Sequence, residues 1–361
     1  MRFLLRGLYT AGHVFVLVLF AAGYLGRFVD PYTIWWLQIF AIVLPAAAAL
    51  LFVLTLVSAA IRIWPLFTVS VLALLMFGLR YAAAVGGTFE TVEPTITVVT
   101  FNTGGGENMV KGGDHGLRNL IDEVEPDILC LQEFWIGYWE TSADGRTHAR
   151  ADEILDSLGY RVIAPPTRAA QRRPSPIITR FEIDETSVVK LSSLESQERA
   201  GTLLRAQFSS QGRSFVIYNL HLQSFTEQRP WREGASFNPR AWVRFLRRTN
   251  ETFLQRADEA REIGEILEQE KLPFLLCGDF NSTPHQWTYA RLAAGLTDVY
   301  RASGGFWGPT YPSSSPLVRI DFILASEEWS TGDVDVGGRL PSDHRSVVAR
   351  LRLDGPAMSG R

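Results

Sequence analysis

Six short polar clusters stand out along the chain, each at the end of an apolar, strand-like run. In chain order they are Phe101-Asn102, Leu131-Gln132-Glu133, Asn219-Leu220-His221-Leu222, Gly278-Asp279-Phe280-Asn281, Arg319-Ile320-Asp321-Phe322 and Ser342-Asp343-His344. Strands favour β-branched and aromatic residues, and a buried carboxylate or imidazole is costly unless it has a partner. A set rich in Asp, Glu, Asn and His offers oxygen ligands for a hard divalent cation and acid/base groups for phosphate chemistry.

In this order the clusters resemble the motifs of the endonuclease/exonuclease/phosphatase superfamily, the metal-dependent phosphoesterases related to pancreatic-type deoxyribonuclease and bacterial sphingomyelinase. The resemblance runs from about Thr95 to Leu353. Its most specific pieces are GDFNSTP (Gly278 to Pro284), RIDFIL (Arg319 to Leu324) and SDH (Ser342 to His344). It implies an α/β fold, a four-layer sandwich of two packed mixed β-sheets flanked by helices. Many short strand-like runs with helical periodicity between them indicate the same architecture.

The resemblance also implies a metal site. Glu133 takes the place of the principal carboxylate, Asn102 is its neutral neighbour, and Asp343 is a further contact to the metal or its water. We expect Mg²⁺, with Mn²⁺ able to substitute, because Mg²⁺ usually takes one or two carboxylates and keeps several waters. Asn102-Thr103-Gly104 lacks the second polar side chain that the family often carries here, so whether a second metal binds stays open.

The remaining motif residues take catalytic roles by the same resemblance. Asp279 positions or deprotonates the attacking water, and Asn281 donates its amide to a phosphate oxygen. Asp321 orients His344 and supports its protonated form. His221 is a second imidazole that contacts the phosphate or the leaving group.

The segment from Gln223 to Arg248 interleaves aromatic and cationic side chains directly after His221. Arg suits phosphate through its planar fork, so we predict that Arg240 and Arg244 bind substrate together with Asn219. The mixture suits single-stranded nucleic acid or an anionic lipid headgroup equally well, and an ordinary solvated helix is the third interpretation.

The first 85 residues are almost uncharged and contain three apolar stretches of about the ~20 residues that cross a bilayer, Leu8–Leu25, Thr33–Ile61 and Trp64–Val85. The alternative for the first stretch is a cleaved signal peptide, but two more stretches follow and no cleavage site precedes Arg27. We therefore predict three transmembrane helices within residues 1–85, a linker at 86–94, a catalytic domain at 95–354 and a tail at 355–361.

Charge divides between these regions, with a net charge of +2 for residues 1–95 and −5 for the rest. The C-terminal region therefore has no global basic field to attract nucleic acid. Arg2, Arg6 and Arg62 against Arg27 and Arg80 favour an N-terminus inside. Three crossings then place the catalytic domain outside the cytoplasm, at a bacterial plasma membrane.

These observations predict a membrane-anchored, Mg²⁺-dependent phosphodiesterase whose partners are a phosphoester substrate and the lipid bilayer. A nuclease acting on single-stranded nucleic acid is the alternative within enzymes. A catalytically inactive, membrane-tethered binding module is the alternative from another class, and the intact set of Glu133, Asp279, Asn281, Asp321 and His344 argues against it. The oligomeric state stays open. Cys130 and Cys277 lie in apolar runs, and we expect no disulfide.

Overall fold

The chain falls into two compact units in a computed structural model. The structure describes residues 2–82, 95–105, 116–134, 155–164, 175–189, 191, 203–225 and 238–354. The helical unit comprises residues 1–86, 225–257 and 282–291, and the sandwich unit comprises residues 87–224, 258–281 and 292–361. Two segments from within the predicted catalytic domain thus group with the N-terminal helices. The predicted linker at 86–94 and tail at 355–361 lie outside the described residues.

Eight helices are described: α1 (Arg2–Leu25), α2 (Pro31–Ile34), α3 (Leu37–Ala60), α4 (Trp64–Ala82), α5 (Leu117–Val124), α6 (Pro239–Gln269), α7 (Trp287–Leu292) and α8 (Val299–Ala302). By length and composition, Phe3–Leu25 and Leu37–Ala60 could each cross a membrane, whereas Trp64–Arg80 is a shorter apolar helix. The second predicted stretch is divided, because Asp30 caps the separate short helix α2 by accepting a hydrogen bond from the Tyr32 backbone N–H.

A network of buried side-chain hydrogen bonds joins helices α1, α3 and α4. The Tyr9 hydroxyl donates to the Leu54 carbonyl at 2.6 Å and lies 2.8 Å from Ser58 Oγ. His13 Nε2 shares a 2.7 Å hydrogen bond with Ser70 Oγ. Interhelical hydrogen bonds of this kind hold apolar helices together where burial alone gives little specificity. An apolar cluster of Val16, Phe20, Leu44, Ala48 and Leu51 packs within the same bundle.

Twelve described strands form the two sheets: β1 (Ile96–Asn102), β2 (Ile128–Gln132), β3 (Arg161–Ile163), β4 (Ile177–Thr179), β5 (Ile183–Val189), β6 (Leu203–Ser210), β7 (Arg213–His221), β8 (Phe274–Asp279), β9 (Thr297–Asp298), β10 (Asp321–Ala325), β11 (Trp329–Val336) and β12 (Val347–Leu353). Sheet 1 has the order β11-β12-β1-β2-β4-β3, and sheet 2 has the order β5-β6-β7-β8-β10-β9. The parallel pairs are β1 with β2 and β7 with β8, while the other described pairs are antiparallel. The predicted pair of packed mixed sheets is confirmed.

The main core lies between the two sheets and is formed by alternate residues of their strands, including Val98, Ile128, Ile217, Leu275 and Ile323. The intervening residues of β1 and β2, such as Val99 and Leu129, pack with α5 in a separate cluster. This alternation is the period of two that side chains follow along a strand. Cys130 and Cys277 are buried and free, as predicted.

Strand register brings the polar clusters to one edge of each sheet. Asn102 pairs with Gln132 across β1 and β2, and His221 pairs with Asp279 across β7 and β8. Because both pairs are parallel, their carboxyl ends meet at the same edge. β10 runs antiparallel to β8 and begins there, so Asp321 pairs with Asp279.

Candidate active site

Asp279 is the most connected residue of the site. It ends β8, its exposed fraction is 1%, and its Oδ2 accepts hydrogen bonds from Asn102 Nδ2 at 2.9 Å and Asn281 Nδ2 at 3.2 Å. Its Oδ1 accepts the Asn281 backbone N–H at 2.7 Å, in a turn where Asn281 adopts a left-handed φ of 48°. Asn is one of the few residues that tolerate this conformation. Three donors therefore fix both carboxylate oxygens.

His344 and Asp321 form a buried dyad beside Asp279. His344 Nδ1 lies 2.9 Å from Asp321 Oδ2 and 3.2 Å from Oδ1, while His344 Nε2 lies 3.8 Å from Asp279 Oδ2. The other side of the dyad is held by Thr310, whose hydroxyl accepts the backbone N–H of Asp321 at 3.4 Å. The Nδ1 contact leaves Nε2 as the ring nitrogen directed at Asp279, which is the arrangement predicted for an oriented imidazole.

His221 is the second imidazole near Asp279. Its Nε2 lies 3.5 Å from Asp279 Oδ2 and 3.6 Å from Glu133 Oε1, and its side chain is almost completely buried. Both distances exceed ordinary hydrogen-bond lengths, so these contacts are electrostatic. The imidazole therefore lies between the carboxylate of one sheet and the carboxylate that follows β2 in the other.

Burial and mutual charge displace the pKa values of this cluster. Burial and the neighbouring charge of Asp321 together raise the pKa of Asp279 to about 7, against the lowering effects of His344 and of the hydrogen bonds from Asn102 and Asn281. Burial alone lowers the pKa of His344, but the carboxylates of Asp321 and Asp279 outweigh it and raise that pKa to about 10. At neutral pH the imidazole is therefore a cation, while Asp279 exchanges its proton readily.

The cluster has the donor set of a cation site. Ligand atoms of Asp279, Asp321 and His344 all lie within 4.8 Å of one another. Burial and the charge of Asp321 both raise the pKa of Asp279. Hard divalent cations prefer carboxylate oxygens, so the carboxylates are the suitable donors of this cluster, whereas a protonated His344 ring has no free lone pair for a metal.

The three residues predicted as metal ligands differ in their burial and in their contacts with this cluster. Asn102 is buried and bonded to Asp279, and its Oδ1 accepts the Gly104 backbone N–H. Glu133 has a left-handed φ of 55° directly after β2, with 29% of its side chain exposed. Asp343 is exposed, and a Cβ at Gly104 would lie 3.1 Å from its Oδ1, so these two loops touch.

Two of the predicted site residues make hydrogen bonds within the sandwich unit. Asn219 was predicted to bind substrate, but its side chain is fully buried. Its Oδ1 accepts a hydrogen bond from Gln132, and its Nδ2 donates to the carbonyls of Leu131, Ser175 and Pro176. These contacts join the two sheets, so the amide stabilises the sandwich. Asn281 Nδ2 already donates to Asp279 and to the Leu222 carbonyl at 3.0 Å, so in this state it orients Asp279.

Arg240 and Arg244 belong to the helical unit, on exposed positions of α6. The site residues belong to the sandwich unit, so the predicted substrate contact of these two arginines stays a prediction.

Sequence reasoning gave no role to two supporting residues, Ser342 and Tyr311. Ser342 Oγ donates to the Asn102 carbonyl at 2.7 Å and accepts the His344 backbone N–H at 3.0 Å, which connects two motifs. The Tyr311 ring lies 4.9 Å from the His344 ring at an angle of 51°. Ser342 could have been identified from its place in the SDH motif, whereas Tyr311 lies in a loop that carried no signal.

Comparisons with known proteins identify the family of this chain. A model of the endonuclease/exonuclease/phosphatase family matches residues 99–344. Nocturnin from Rattus norvegicus is 23% identical over 199 residues, which are 51% of this chain and 40% of the rat protein. The human Nocturnin match has the same identity and covers 39% of that protein. The match thus spans less than half the length of these relatives.

Solved structures of low sequence identity share the fold. The human Nocturnin catalytic domain with bound sulfate anion gives a TM-score of 0.51 at 20% identity and covers 74% of this chain and 97% of that one. A family protein from Leptotrichia buccalis gives 0.52 at 18% identity, with coverage of 72% and 100%.

The family match spans most of the chain and includes all the motif residues that form the site. Members of this family are metal-dependent phosphoester hydrolases, so the predicted enzyme class is confirmed. The chain belongs to the endonuclease/exonuclease/phosphatase family.

Proposed function

We propose that this chain is a membrane-anchored, divalent-metal-dependent phosphodiesterase that hydrolyses its substrate by direct attack of water. The observation that carries the proposal is the buried arrangement of Asp279, Asp321 and His344, with His344 Nε2 3.8 Å from Asp279 Oδ2. It combines a group that accepts protons near neutral pH with a cation that faces it.

The residues divide the chemistry between them. Asp279, with a pKa of about 7, accepts the proton of the attacking water, and Asn102 and Asn281 hold its carboxylate in place. His344 is protonated at neutral pH and donates to the phosphoryl oxygen on which charge develops. His221, 3.5 Å from the same carboxylate oxygen, serves the phosphate or the leaving group from the other side.

Glu133 and Asn102 would hold the metal, Mg²⁺ with Mn²⁺ as its substitute, and Asp343 would be a further contact to it or its water. A bound metal would supply Lewis-acid stabilisation of the charge that develops on the phosphoryl group. The exposed part of the Glu133 side chain supports this assignment, because Mg²⁺ keeps several waters.

Contacts within the helical unit support retained helices and argue against a cleaved signal peptide. Gln38 is buried in the first turn of α3, and its Nε2 donates to the carbonyls of Gly26 and Val29. Its Oε1 accepts the Trp287 backbone N–H at 3.1 Å. Arg27 Nη1 donates to the Pro284 carbonyl at 2.6 Å. Within α1 itself, Tyr9 and His13 bond to Ser58 Oγ and Ser70 Oγ, so removing α1 would take away these partners of two buried hydroxyls, at a cost for each.

The bundle supports the predicted orientation. Arg6 Nη2 donates to the Ile61 carbonyl, so the start of α1 lies beside the end of α3. Arg80 Nη2 donates to the Tyr24 carbonyl, so the end of α4 lies beside the end of α1. Arg2, Arg6 and Arg62 therefore share one end of the bundle, which by their excess is the cytoplasmic end. Three crossings then put the catalytic domain outside the cytoplasm.

The substrate that fits best is a phosphodiester of a lipid headgroup. The first turns of α6 expose Trp242, Val243 and Leu246 together with Arg240 and Arg244. Apolar and basic side chains on one exposed helix are typical of a segment that lies in a membrane interface. The same segment belongs to the helical unit. A single-stranded nucleic acid substrate is the alternative, which the same arginines and Trp242 would serve.

A substrate panel tests the proposal with the full chain in detergent or nanodiscs. We expect hydrolysis of a chromogenic diester and of phospholipid headgroups, loss of both in chelator, and little hydrolysis of single-stranded DNA. Arg240→Gln with Arg244→Gln should weaken turnover of vesicle lipid and spare the soluble diester. Arg118→Gln, which removes an exposed arginine of α5, is the matched control. Hydrolysis of DNA that depends on the same two arginines would replace the lipid substrate with nucleic acid.

A further inference from the structure

The helical unit carries a cavity of about 900 Å³, broadly open to the surface, at the end of the bundle where α1 begins and α3 ends. Its walls are mainly apolar, with Phe3, Val14, Phe15 and Ile63 among them, and Arg6 and Arg62 also line it. Cavities of this size hold small molecules, and one lined by apolar groups with a few polar ones selects an amphiphile.

The charges that line the cavity are of one sign. Of its lining residues, Arg6 and Arg62 are the charged ones, and neither Asp nor Glu is among them. Arg6 Nη2 donates to the Ile61 carbonyl at 3.0 Å, while among the described residues the Arg62 side chain has no hydrogen bond or ion pair. The first acidic residue of the sequence is Asp30, beyond the far end of α1, which is about 28 Å from Arg6 along the helix axis.

The backbone conformation of Arg62 is also unusual. Arg62 has a left-handed φ of 59° where the chain leaves α3, and the backbone N–H of Ile63 donates to the Ser58 carbonyl. Helices usually end in this way with glycine, because a side chain is strained there. The chain nevertheless carries an arginine at the cavity wall, with its guanidinium unpaired among the described residues.

We propose that this cavity binds one anionic phospholipid from the surrounding bilayer, with its phosphate between Arg6 and Arg62 and an acyl chain along Phe3, Val14 and Phe15. The apolar walls favour a lipid over free phosphate, because only the lipid brings an acyl chain that buries their apolar surface. Two guanidinium groups select an anionic headgroup over a zwitterionic one, and Arg–phosphate contacts are strong, directional hydrogen bonds. The proposal rests on the membrane-anchoring half of the proposed function and is independent of the catalytic site.

Lipid titration of the delipidated full chain in a neutral detergent tests it. Phosphatidylglycerol should raise the thermal unfolding midpoint saturably, whereas phosphatidylcholine and inorganic phosphate at equal concentrations should not. Arg6→Gln with Arg62→Gln should weaken the phosphatidylglycerol effect roughly tenfold or more, because each basic residue near an anionic lipid surface contributes to binding. Arg339→Gln, which removes an exposed arginine that does not line the cavity, should leave it unchanged.

Photocrosslinking supplies a second measurement that does not depend on the variants folding. Phosphatidylglycerol with a photoreactive acyl chain should label peptides containing Phe3–Phe15 and Arg62–Pro65. Equal stabilisation by phosphatidylcholine or phosphate, an unchanged titration in the double variant, or labelling confined to other segments would each overturn the proposal. Hydrolysis of the soluble diester should be the same in the double variant and the wild type. Loss of all diester hydrolysis in the wild type would instead count against the proposed enzymatic function and leave the lipid result standing.

Discussion

The two sheets of the sandwich contribute their site residues in different ways. Sheet 2 places His221, Asp279 and Asp321 inside paired strands, where each is at most 1% exposed. Sheet 1 places its titratable site residues just outside its strands. Glu133 follows β2 by one residue, and His344 precedes β12 by three.

This difference separates two chemical tasks. A side chain within a ladder is held by backbone hydrogen bonds on neighbouring strands, which suits proton transfer over a fixed distance. A side chain on a loop that is partly exposed, such as Glu133, can adjust to a cation that keeps its waters. We therefore expect substitutions on sheet 2 to impair chemistry at every metal concentration, and substitutions of Glu133 and Asp343 to alter the response to metal. His344 is the exception among the loop residues, because it belongs with Asp279 and Asp321 to the proton-transfer group.

The largest effect is expected for Asp279→Asn. The amide preserves the shape of the side chain but cannot accept the proton of the attacking water, so kcat should fall by about 10³-fold or more. Initial rates with a chromogenic diester measure this, with circular dichroism as the check on folding. A folded variant with near-normal turnover would remove Asp279 from the proton-transfer role.

A smaller and metal-dependent effect is expected for Glu133→Gln. Loss of the carboxylate should weaken metal binding, so activity at low Mg²⁺ should fall on the order of 10²-fold and recover partly at high Mg²⁺. Metal titrations of the initial rate separate this behaviour from that of Asp279→Asn, which no metal concentration should rescue. A Glu133→Gln variant that is equally impaired at every metal concentration would contradict a role of Glu133 in metal binding.

The pairing of Asp321 with His344 should be visible in the pH dependence of kcat. Asp321 raises the pKa of His344 against the lowering effect of burial, so Asp321→Asn should lower that pKa. The protonated imidazole is then lost at a lower pH, and the alkaline limb of kcat should move from near pH 10 towards neutrality. At neutral pH the rate should fall by roughly 10- to 100-fold, as for other orienting partners. An alkaline limb that stays in place would show that Asp321 does not act through His344.

Asp343→Asn should have the smallest effect of the series. The side chain is exposed and contacts the metal at most through water, so we expect a loss of less than about tenfold with a modestly higher Mg²⁺ requirement. The same metal titration checks this prediction. A loss as large as that of Glu133→Gln would make Asp343 a direct ligand.

Long buried strands could be predicted from the sequence because their apolar runs are bounded by polar clusters, as in β1, β2, β8 and β10. Strand β11 has a weak sequence signal, because Gly332, Asp333 and Asp335 have low strand propensity and the strand pairs at a sheet edge with a shifted register. Helix α6 begins at Pro239, which occupies its first position, and Asn238 caps it.

The motif residues of the site were predictable for the same reason, since each lies at or within four residues of a strand end. Their pairing was not, because the register of Asp321 against Asp279 depends on which strands become neighbours. The role of Asn219 also could not be predicted, because Asn219 and His221 both lie near the end of β7 and the sequence does not distinguish them. Only the packed sheets reveal that one side chain joins the sandwich and the other faces Asp279.

The most direct test of the account is a metal add-back experiment on the full chain in detergent. After exhaustive chelation, the initial rate of diester hydrolysis should fall to background, and added Mg²⁺ or Mn²⁺ should restore it in the wild type. The same additions should leave Asp279→Asn at background although it remains folded. Hydrolysis that survives chelation, or that returns in Asp279→Asn with added metal, would contradict a metal-dependent phosphodiesterase built around Asp279.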